Sequence, residues 1–334
     1  MRDIPESMQA MAITPLSKKH GILEAATCPV PTINDHEILL RIQYAGVNRA
    51  DIMQRNGLYP PPANASPLPG LEASGEIVAI GKNVTHLRVG DLVCALLAGG
   101  GYGQFATVQA AHCLPIPQGW TMEEAAALPE AAFTIWMSLG AEAKLQSGET
   151  FLVHGGASGI GMTAIQYANA LGAVVYATAS SPEKCAMCKS WGATHAIQYT
   201  TTDFVDAIDT ATAGKGVNVI LDFIGGEYIP RNFQCLATNG RMISLAFLGG
   251  ANVDSLSLIP ILRKRLLWKG TTLRAQSDAV KSEYAEAIRT KMWPFIAAGK
   301  VRPHIDKVFS LSEAQKAHDY MEQNLNIGKI VLQV

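Results

Sequence analysis

The sequence predicts an α/β protein in two parts, a β-rich region followed by a doubly wound parallel sheet. Three observations carry this. The run HGGASGIG, His154 to Gly161, lies between an apolar strand (Phe151, Leu152, Val153) and a segment in which Ile160, Ala164, Ile165, Ala168 and Leu171 recur at helical spacing. Gly172 stands at the expected helix C-cap, and a second strand, Val174-Val175-Tyr176, follows at once. Short alternating strands punctuated by turns precede this unit, and further strand patterns follow it. Strand, glycine-rich turn, helix and strand together place a dinucleotide pyrophosphate at a helix N-terminus, where unpaired N–H groups and the helix dipole favour an anion. The expected cofactor is a nicotinamide dinucleotide held by Gly156, Ala157, Ser158, Gly159, Ile160 and Gly161. Gly156 is expected to turn the chain, Gly159 to keep the loop free of side chains, and Gly161 to let the helix pack close to the strand. The string departs from GxGxxG at Ser158, which stands where the middle glycine would be.

Along the chain, the first strand is expected to start near Met8, leaving residues 1–7 as a short extension or an upstream start. Ile38 to Ile42 and Gly75 to Ile80 read as strands, with turns at Gly81-Lys82-Asn83 and Val89-Gly90-Asp91 and a Gly99-Gly100-Gly101 loop. After the glycine-rich unit, Val217 to Phe223 runs into Gly225-Gly226, and Arg241 to Leu248 into Gly249-Gly250. Both glycine pairs fall at strand C-terminal ends, the edge where doubly wound sheets bind ligands. A helix from Ser312 to Asn324 and a strand from Lys329 to Val334 close the chain, and that strand is expected to rejoin the first region.

The 334 residues suffice for two sizeable cores, and 48% hydrophobic against 16% charged residues excludes a disordered chain. A net charge of −1, with Arg263-Lys264-Arg265 the longest basic cluster, argues against nucleic acid as a partner. No stretch reaches the length of a membrane span and the first residues hold no apolar signal core, so no membrane association is expected. Six scattered cysteines fit a reducing, cytoplasmic compartment. Cys185 and Cys188 form a lone CxxC without a second pair or paired histidines, which reads as ordinary helix residues.

The end of the second strand bears on which nicotinamide is used. NAD-binding units place an acid there, on the adenine ribose. Here the tip reads Thr178-Ala179-Ser180-Ser181-Pro182-Glu183-Lys184, with the first acid inside the next helix. Ser180, Ser181 and Lys184 suit a 2′-phosphate, so NADPH is expected over NADH. Ser181 also reads as a helix N-cap, Pro182 as the first helical residue and Lys184 as a surface charge. A lysine in the first helical turn opposes the helix dipole, a penalty that a bound phosphate would offset.

Several motifs in order resemble a known family. PGLEASGEIVAIG, from Pro69, is similar to the GHExxG segment of medium-chain alcohol dehydrogenases. AGVNRADIMQRNGLYPPP from Ala45, the GGASGIG turn and NIGKIVLQV from Asn326 resemble the zinc-free NADPH:quinone oxidoreductases. Within that group, the tumour-suppressor-inducible quinone oxidoreductase shares a serine in the turn. The resemblance runs from Met8 to the end and implies a GroES-like β-rich catalytic domain over residues 1–132 and 273–334, with a Rossmann-type NADPH-binding domain over 133–272. The zinc ligands of the alcohol dehydrogenases are replaced: Asn48 stands at the cysteine position and Leu71 at the histidine of GHE. No Cys or His falls between Leu114 and Val153, and only Cys94 falls between Asp91 and Gln104, where a structural zinc lobe would need four. No metal is therefore expected, which disfavours alcohol oxidation and leaves hydride transfer to an electron-poor acceptor.

A quinone is such an acceptor. The resemblance implies that Tyr59 and Asn48 line the reacting cleft, Tyr59 bonding a quinone oxygen or ribose hydroxyl and Asn48 orienting the nicotinamide ribose. Tyr59 also reads as an aromatic packed on Pro60-Pro61-Pro62, and Asn48 as a helix N-cap. Thr134, at the start of the helix entering the cofactor domain, and Asn326 are implied to touch the cofactor. Tyr199 is implied beside the adenosine phosphate, and Phe247 and Gly249 near the nicotinamide. Lys329 is expected to be a surface charge. The leading reading is an NADPH-dependent quinone reductase and a homodimer, with a strand near Arg241 to Leu248 or Gly270 to Arg274 at the seam. Reduction of an enone or enoyl thioester remains open, as does a non-enzymatic, ζ-crystallin-like role. A thioester enzyme calls for cations at the cleft mouth, for which Arg49, Arg55 and Arg274 are the candidates.

Overall fold

A computed structural model describes residues 4–18 and 20–334. Of the segment read as a leading extension, residues 1–3 lie outside the described residues, and pairing begins at Ser7, opposite Pro29. The strands in chain order are β1 (Ser7–Ser17), β2 (His20–Pro29), β3 (Glu37–Val47), β4 (Glu72–Ile80), β5 (Leu92–Leu96), β6 (Phe105–Gln109) and β7 (Cys113–Pro115), with helix α1 (Arg49–Arg55) after β3. Two short helices follow, α2 (Met122–Ala126) and α3 (Pro129–Ile135), the latter continued by a π-helical stretch over Trp136–Glu142. The glycine-rich unit is β8 (Thr150–Val153), α4 (Gly159–Leu171) and β9 (Val174–Ala179). Next come α5 (Pro182–Ser190), β10 (His195–Gln198), α6 (Phe204–Thr212), β11 (Val217–Asp222), α7 (Tyr228–Cys235), β12 (Leu236–Ser244), α8 (Ile259–Lys264) and β13 (Leu267–Gly270). The chain closes with β14 (Ile305–Ser310), a helix over Ala314–Glu322 and β15 (Lys329–Gln333).

The chain divides into two compact units. Unit 1 comprises residues 4–18, 20–133, 274–297 and 303–334, and unit 2 comprises 134–273 and 298–302. Unit 1 holds a seven-stranded sheet in which β14-β15-β3-β4-β5-β7 are neighbours and β6 also pairs with β3. β15 runs antiparallel to β3, with Ile330 opposite Val47, so the last residues complete the sheet that β3 begins, while β1 and β2 form a two-stranded sheet of their own. Ile38, Leu40, Ile77 and Tyr102 sit at its core with no exposed surface.

Unit 2 is a six-stranded parallel sheet in the order β10-β9-β8-β11-β12-β13. Its central strands are apolar on both faces because helices cover both: Phe151, Leu152, Val219, Ile220 and Leu221 are fully buried. The strand order reverses direction at the β8/β11 boundary, the switch point where such sheets open a ligand crevice. Arg241 to Leu248 is not one strand. Pairing stops at Ser244, and the chain leaves the sheet well before Gly249. That strand is also no edge, since β11 and β13 flank β12; the sheet's edges are β10 and β13, the latter with Leu267 and Trp268 exposed. Edge-to-edge pairing through β12 is therefore closed, since its partners on both sides are already in place.

Candidate functional site

In unit 2 the β8–α4 turn is shaped by where side chains cannot stand. Ser158 is the α4 N-cap, its Oγ accepting from the Gly161 N–H at 3.0 Å, and Gly172 ends the helix in the left-handed region at φ +92°. The N–H groups of Gly159 and Ile160, in the first turn, have no partner within the helix. The left-handed residue of the turn is Gly155, at φ +60°, and not Gly156 as the glycine pattern implied. Gly156 is required for space: a Cβ there would lie 2.8 Å from Cys188 Sγ and 2.9 Å from Ala177 Cβ. Gly161 packs on the turn itself and not on the strand, a Cβ falling 2.4 Å from the Gly155 carbonyl oxygen. The outcome is a side-chain-free cradle of N–H groups at a helix N-terminus, which fits a pyrophosphate.

The neighbouring strand end carries the other predicted contacts. Ser181 caps α5, accepting the Lys184 N–H at 3.2 Å, so the N-cap reading holds for it. Tyr199 is 43% exposed and donates its N–H to the Ala179 carbonyl, while Thr200 Oγ1 reaches the Ser180 carbonyl. Ser180, Ser181 and Tyr199 thus share one corner. Gly249 N–H donates to the Ile224 carbonyl at 2.7 Å and Phe247 is half exposed, which puts both against the Phe223–Gly225 turn. Thr134 does not start a helix: it lies in the last turn of α3, buried, its carbonyl accepting from Ser138 Oγ. Cys185 and Cys188 are buried helix residues with thiols pushed up by burial.

In unit 1, Asn48 is the α1 N-cap residue, and Asp51 reaches back to its N–H at 2.8 Å. Its side chain is committed elsewhere. Nδ2 donates to Glu72 Oε1 at 2.9 Å, and Oδ1 accepts from Lys329 Nζ at 2.7 Å. Lys329 also donates to Glu72 Oε1 at 2.5 Å, and Glu72 Oε2 takes the Glu130 N–H at 2.9 Å. Lys329 is 3% exposed, so it is no surface charge: β15 is interior to the sheet and delivers the ammonium inward. Gly46 makes room for the carboxylate, since a Cβ there would lie 2.1 Å from Glu72 Oε1. Asn326, two residues before Gly328, donates to the Gly328 carbonyl just ahead of β15.

Asp51 and its partners form a second buried cluster that the sequence did not disclose. Its carboxylate accepts from Gly70 N–H at 2.9 Å and lies 3.4 Å from Tyr102 Oη, which in turn is 2.9 Å from His318 Nε2. Burial pushes Asp51 up to about 6 and His318 down to about 3. The available signal was the acid in RADIMQR, which occupies a helix face otherwise turned to the core.

Tyr59 lines a cleft of about 970 Å³ in unit 1, with Pro60, Pro61, Pro62, Leu97 and Arg274 among its walls. Burial and the Glu130 charge raise the phenol pKa, while the Arg274 side chain and its backbone N–H, which the phenol accepts, hold it lower. The phenol proton is left for donation. Among the described residues no hydrogen bond joins Asn48 to Tyr59. Of the three candidate mouth cations, Arg274 lines the cleft with its guanidinium on the Ala98 and Tyr59 carbonyls, whereas Arg49 is held by the Met321 carbonyl and Asn324, and Arg55 by Glu322 at 2.7 Å.

Breaking a buried pair on one side leaves the other charge uncompensated, at about 3–5 kcal/mol. Lys329→Met is expected to lose that much in urea unfolding, and Lys329→Met with Glu72→Gln to recover most of it. Equal losses for the single and double variants would show that Glu72 does not depend on the ammonium.

Comparison with known proteins agrees with this arrangement. Residues 34–118 match the alcohol dehydrogenase GroES-like domain, and residues 159–291 the family described as zinc-binding dehydrogenase. Quinone oxidoreductase 1 of Escherichia coli (strain K12) is 30% identical over 320 residues, which cover 94% of this chain and 97% of that protein. Polyketide synthase GfsB of Streptomyces halstedii is 34% identical over 312 residues, covering 93% of this chain, and the chain spans 5% of the length of that synthase. Among solved structures, the CurK enoyl reductase has a TM-score of 0.85 and 28% identity, over 98% of this chain and 99% of that one. With its β-rich unit, parallel-sheet unit and glycine turn, the chain is an oxidoreductase belonging to the quinone oxidoreductase family of the medium-chain dehydrogenases/reductases.

Proposed function

We propose that the protein is a zinc-independent, NADPH-dependent quinone reductase. The observation that carries the reading is the unit 1 polar site. Asn48 and Leu71 replace the metal ligands of the alcohol dehydrogenases, and Asn48 is bound into a pair of Glu72 and Lys329 whose charges already balance. Tyr59 is then the acid on the cleft wall. NADPH, when bound, supplies the hydride from nicotinamide C4. A quinone gains aromaticity on accepting it and needs little acid assistance, so the protein's contribution is mainly positioning and the exclusion of water. Tyr59 donates a hydrogen bond to the quinone oxygen as charge develops there. Asn48, with one amide N–H left, orients the nicotinamide ribose.

In this reading unit 1 binds the substrate and unit 2 the nucleotide, with Thr134, Tyr199, Phe247, Gly249 and Asn326 as cofactor contacts beyond the turn. The carboxylate-free end of β9, with Ser180, Ser181 and Lys184, supports NADPH over NADH, because an acid there would repel a 2′-phosphate. Six cysteines without disulfides support a reducing, cytoplasmic compartment. The open edge of β13, with exposed Leu267 and Trp268 and Leu262 on α8, supports a homodimer, because an apolar edge strand is a liability unless paired. Reduction of an enoyl thioester is the second reading, favoured by the likeness to the CurK enoyl reductase and by Arg274 on the cleft wall, and opposed by Arg49 and Arg55, which are held by Met321, Asn324 and Glu322.

A panel of ortho-quinones, para-quinones and enones, assayed with NADPH after exhaustive chelation, tests the reaction. Quinones are expected to turn over at full rate and simple alcohols with NADP⁺ not at all; faster turnover of enoyl thioesters than of any quinone would overturn the reading. Removing one donor from a desolvated site commonly costs about 10²–10³ in rate. Tyr59→Phe is expected to cost quinone reduction less than that, and enone reduction more than it costs quinone reduction.

Cofactor choice is checked by titration. A charge-assisted hydrogen bond is worth about 1.5–3 kcal/mol, roughly ten- to a hundredfold in affinity. Lys184→Ala is expected to weaken NADPH by that order and leave NADH nearly unchanged, whereas equal losses would make Lys184 structural. Light scattering at micromolar concentration is expected to give a dimer, and Trp268→Lys a monomer.

A further inference from the structure

The interior of unit 2 contains a histidine that neither the fold nor the proposed reaction requires. His154, the last residue before the glycine turn, has no exposed surface. Its ring packs edge to face against Phe204 and Tyr228, each centroid 4.9 Å away, and those two rings stack on each other at 5.2 Å. An apolar residue would fill this position without needing hydrogen bonds, so a polar ring there is tolerated only because both nitrogens are satisfied. Nδ1 lies 3.2 Å from Thr178 Oγ1, and Nε2 lies 2.7 Å from Asn232 Oδ1.

We propose that Asn232, His154, Thr178 and Gly155 form a hydrogen-bond relay, directed by the Asp222 carboxylate beside Asn232, that presets the pyrophosphate turn, making His154 and Thr178 positioning residues for dinucleotide binding. The proposal rests on the reading that a dinucleotide occupies this turn.

The direction follows from charge. Asp222, at the end of β11, accepts the N–H groups of Ile224 at 3.0 Å and Gly225 at 3.2 Å. Burial pushes its carboxyl up to about 6, opposed by those N–H groups and by the Asn232 side chain, so it is anionic at neutral pH. A carboxylate beside an amide turns the NH2 toward itself and the oxygen away. Asn232 Nδ2 is near enough to lower the Asp222 pKa, though it makes no hydrogen bond of ordinary geometry. Asn232 Oδ1 therefore faces His154 and requires a proton on Nε2.

The rest of the chain is then determined. Burial, reinforced by the Arg231 cation and opposed by the Asn232 hydrogen bond, pushes His154 down to about 4, so the ring is neutral and Nδ1 is bare. Thr178 must donate its hydroxyl proton to Nδ1. Its oxygen lone pairs are thereby aimed at the Gly155 N–H, 3.3 Å away, while the Thr178 carbonyl takes the Gly156 N–H at 2.8 Å. One residue on β9 thus holds both glycine N–H groups of the turn, including the left-handed Gly155. Orienting this loop in advance removes an ordering cost from binding.

Thr178→Val keeps the shape and removes the hydroxyl; Thr178→Ser keeps the hydroxyl. Equilibrium titrations with NADPH, NADH and 2′-AMP, together with nitrogen-15 NMR of the apoprotein, separate the possibilities. The wild type is expected to show His154 as the Nε2–H tautomer. Thr178→Val is expected to weaken NADPH and NADH alike by about tenfold, because both carry the pyrophosphate, and to leave 2′-AMP within twofold. Thr178→Ser is expected to stay within twofold of wild type for all three. An Nδ1–H tautomer, unchanged NADPH and NADH affinity in Thr178→Val, a parallel loss of 2′-AMP, or a serine variant as weak as the valine one would each overturn the proposal. A wild type that binds NADH but not 2′-AMP overturns the NADPH preference alone, and NADH then reports on the relay. A wild type that binds no dinucleotide overturns the cofactor reading and this proposal with it.

Discussion

The buried pair of Lys329 and Glu72 is the constraint around which unit 1 is arranged. Two opposite charges taken out of water are tolerable only when every remaining proton and lone pair is matched. Here the matching groups come from distant parts of the chain: Asn48 between β3 and α1, Glu130 at the start of α3, and Gly46, whose missing side chain makes room for the carboxylate. The last strand must therefore enter the sheet beside β3, since only there does Lys329 reach Glu72. The same pair fixes the chemistry available to the site. Asn48 spends its oxygen and one N–H on it, and a divalent cation would compete with an ammonium already in place.

Unit 2 answers a different problem, that of holding an anion with backbone alone. Its solution is steric. Gly155 supplies the left-handed turn, Gly156 lets the turn press on Cys188 and Ala177, and Gly161 lets the helix start against the turn, so no side chain intrudes on the exposed N–H groups. Ser158 stands where a further glycine is usual, and its hydroxyl caps the helix. Beneath the turn a line of buried polar groups runs from Asp222 to Thr178. Hydrogen bonds of this kind contribute little net stability, yet they specify one orientation because leaving any member unpaired is costly.

Much of this was legible in the chain as written. The β8–α4–β9 unit, the Ser158 turn, the Gly172 cap, the Ser181 cap and the apolar strand at Val217 could be read because each depends on contacts a few residues apart: a capping hydroxyl, a φ that only glycine adopts readily, a helical period of apolar side chains. The placing of Asn48 and Leu71 at the Cys and His positions of the alcohol dehydrogenases comes from the resemblance of the flanking motifs, which also needs no coordinates. Errors fell where one residue could serve two local purposes. The glycine pattern assigns the turn to Gly156, whereas Gly155 adopts the left-handed conformation, and the resemblance places Thr134 at a helix start when it lies in the last turn of α3.

The tertiary structure alone decided which charges are buried and with whom. Lys329 sits in a strand motif that looks the same whether the strand is an edge or an interior one, and only the pairing of β15 with both β14 and β3 sends its ammonium to Glu72. Arg49, Arg55 and Arg274 carry no sign in their neighbours of which groups hold them, because their partners lie on segments far away in the chain. The same holds for Asp222, His154 and Thr178, which meet because three parallel strands end side by side, and for Asn232, which α7 brings against them. Local sequence sets dihedral preference and the apolar period; the electrostatic partners of a buried group are set by chain crossings, which no local pattern records.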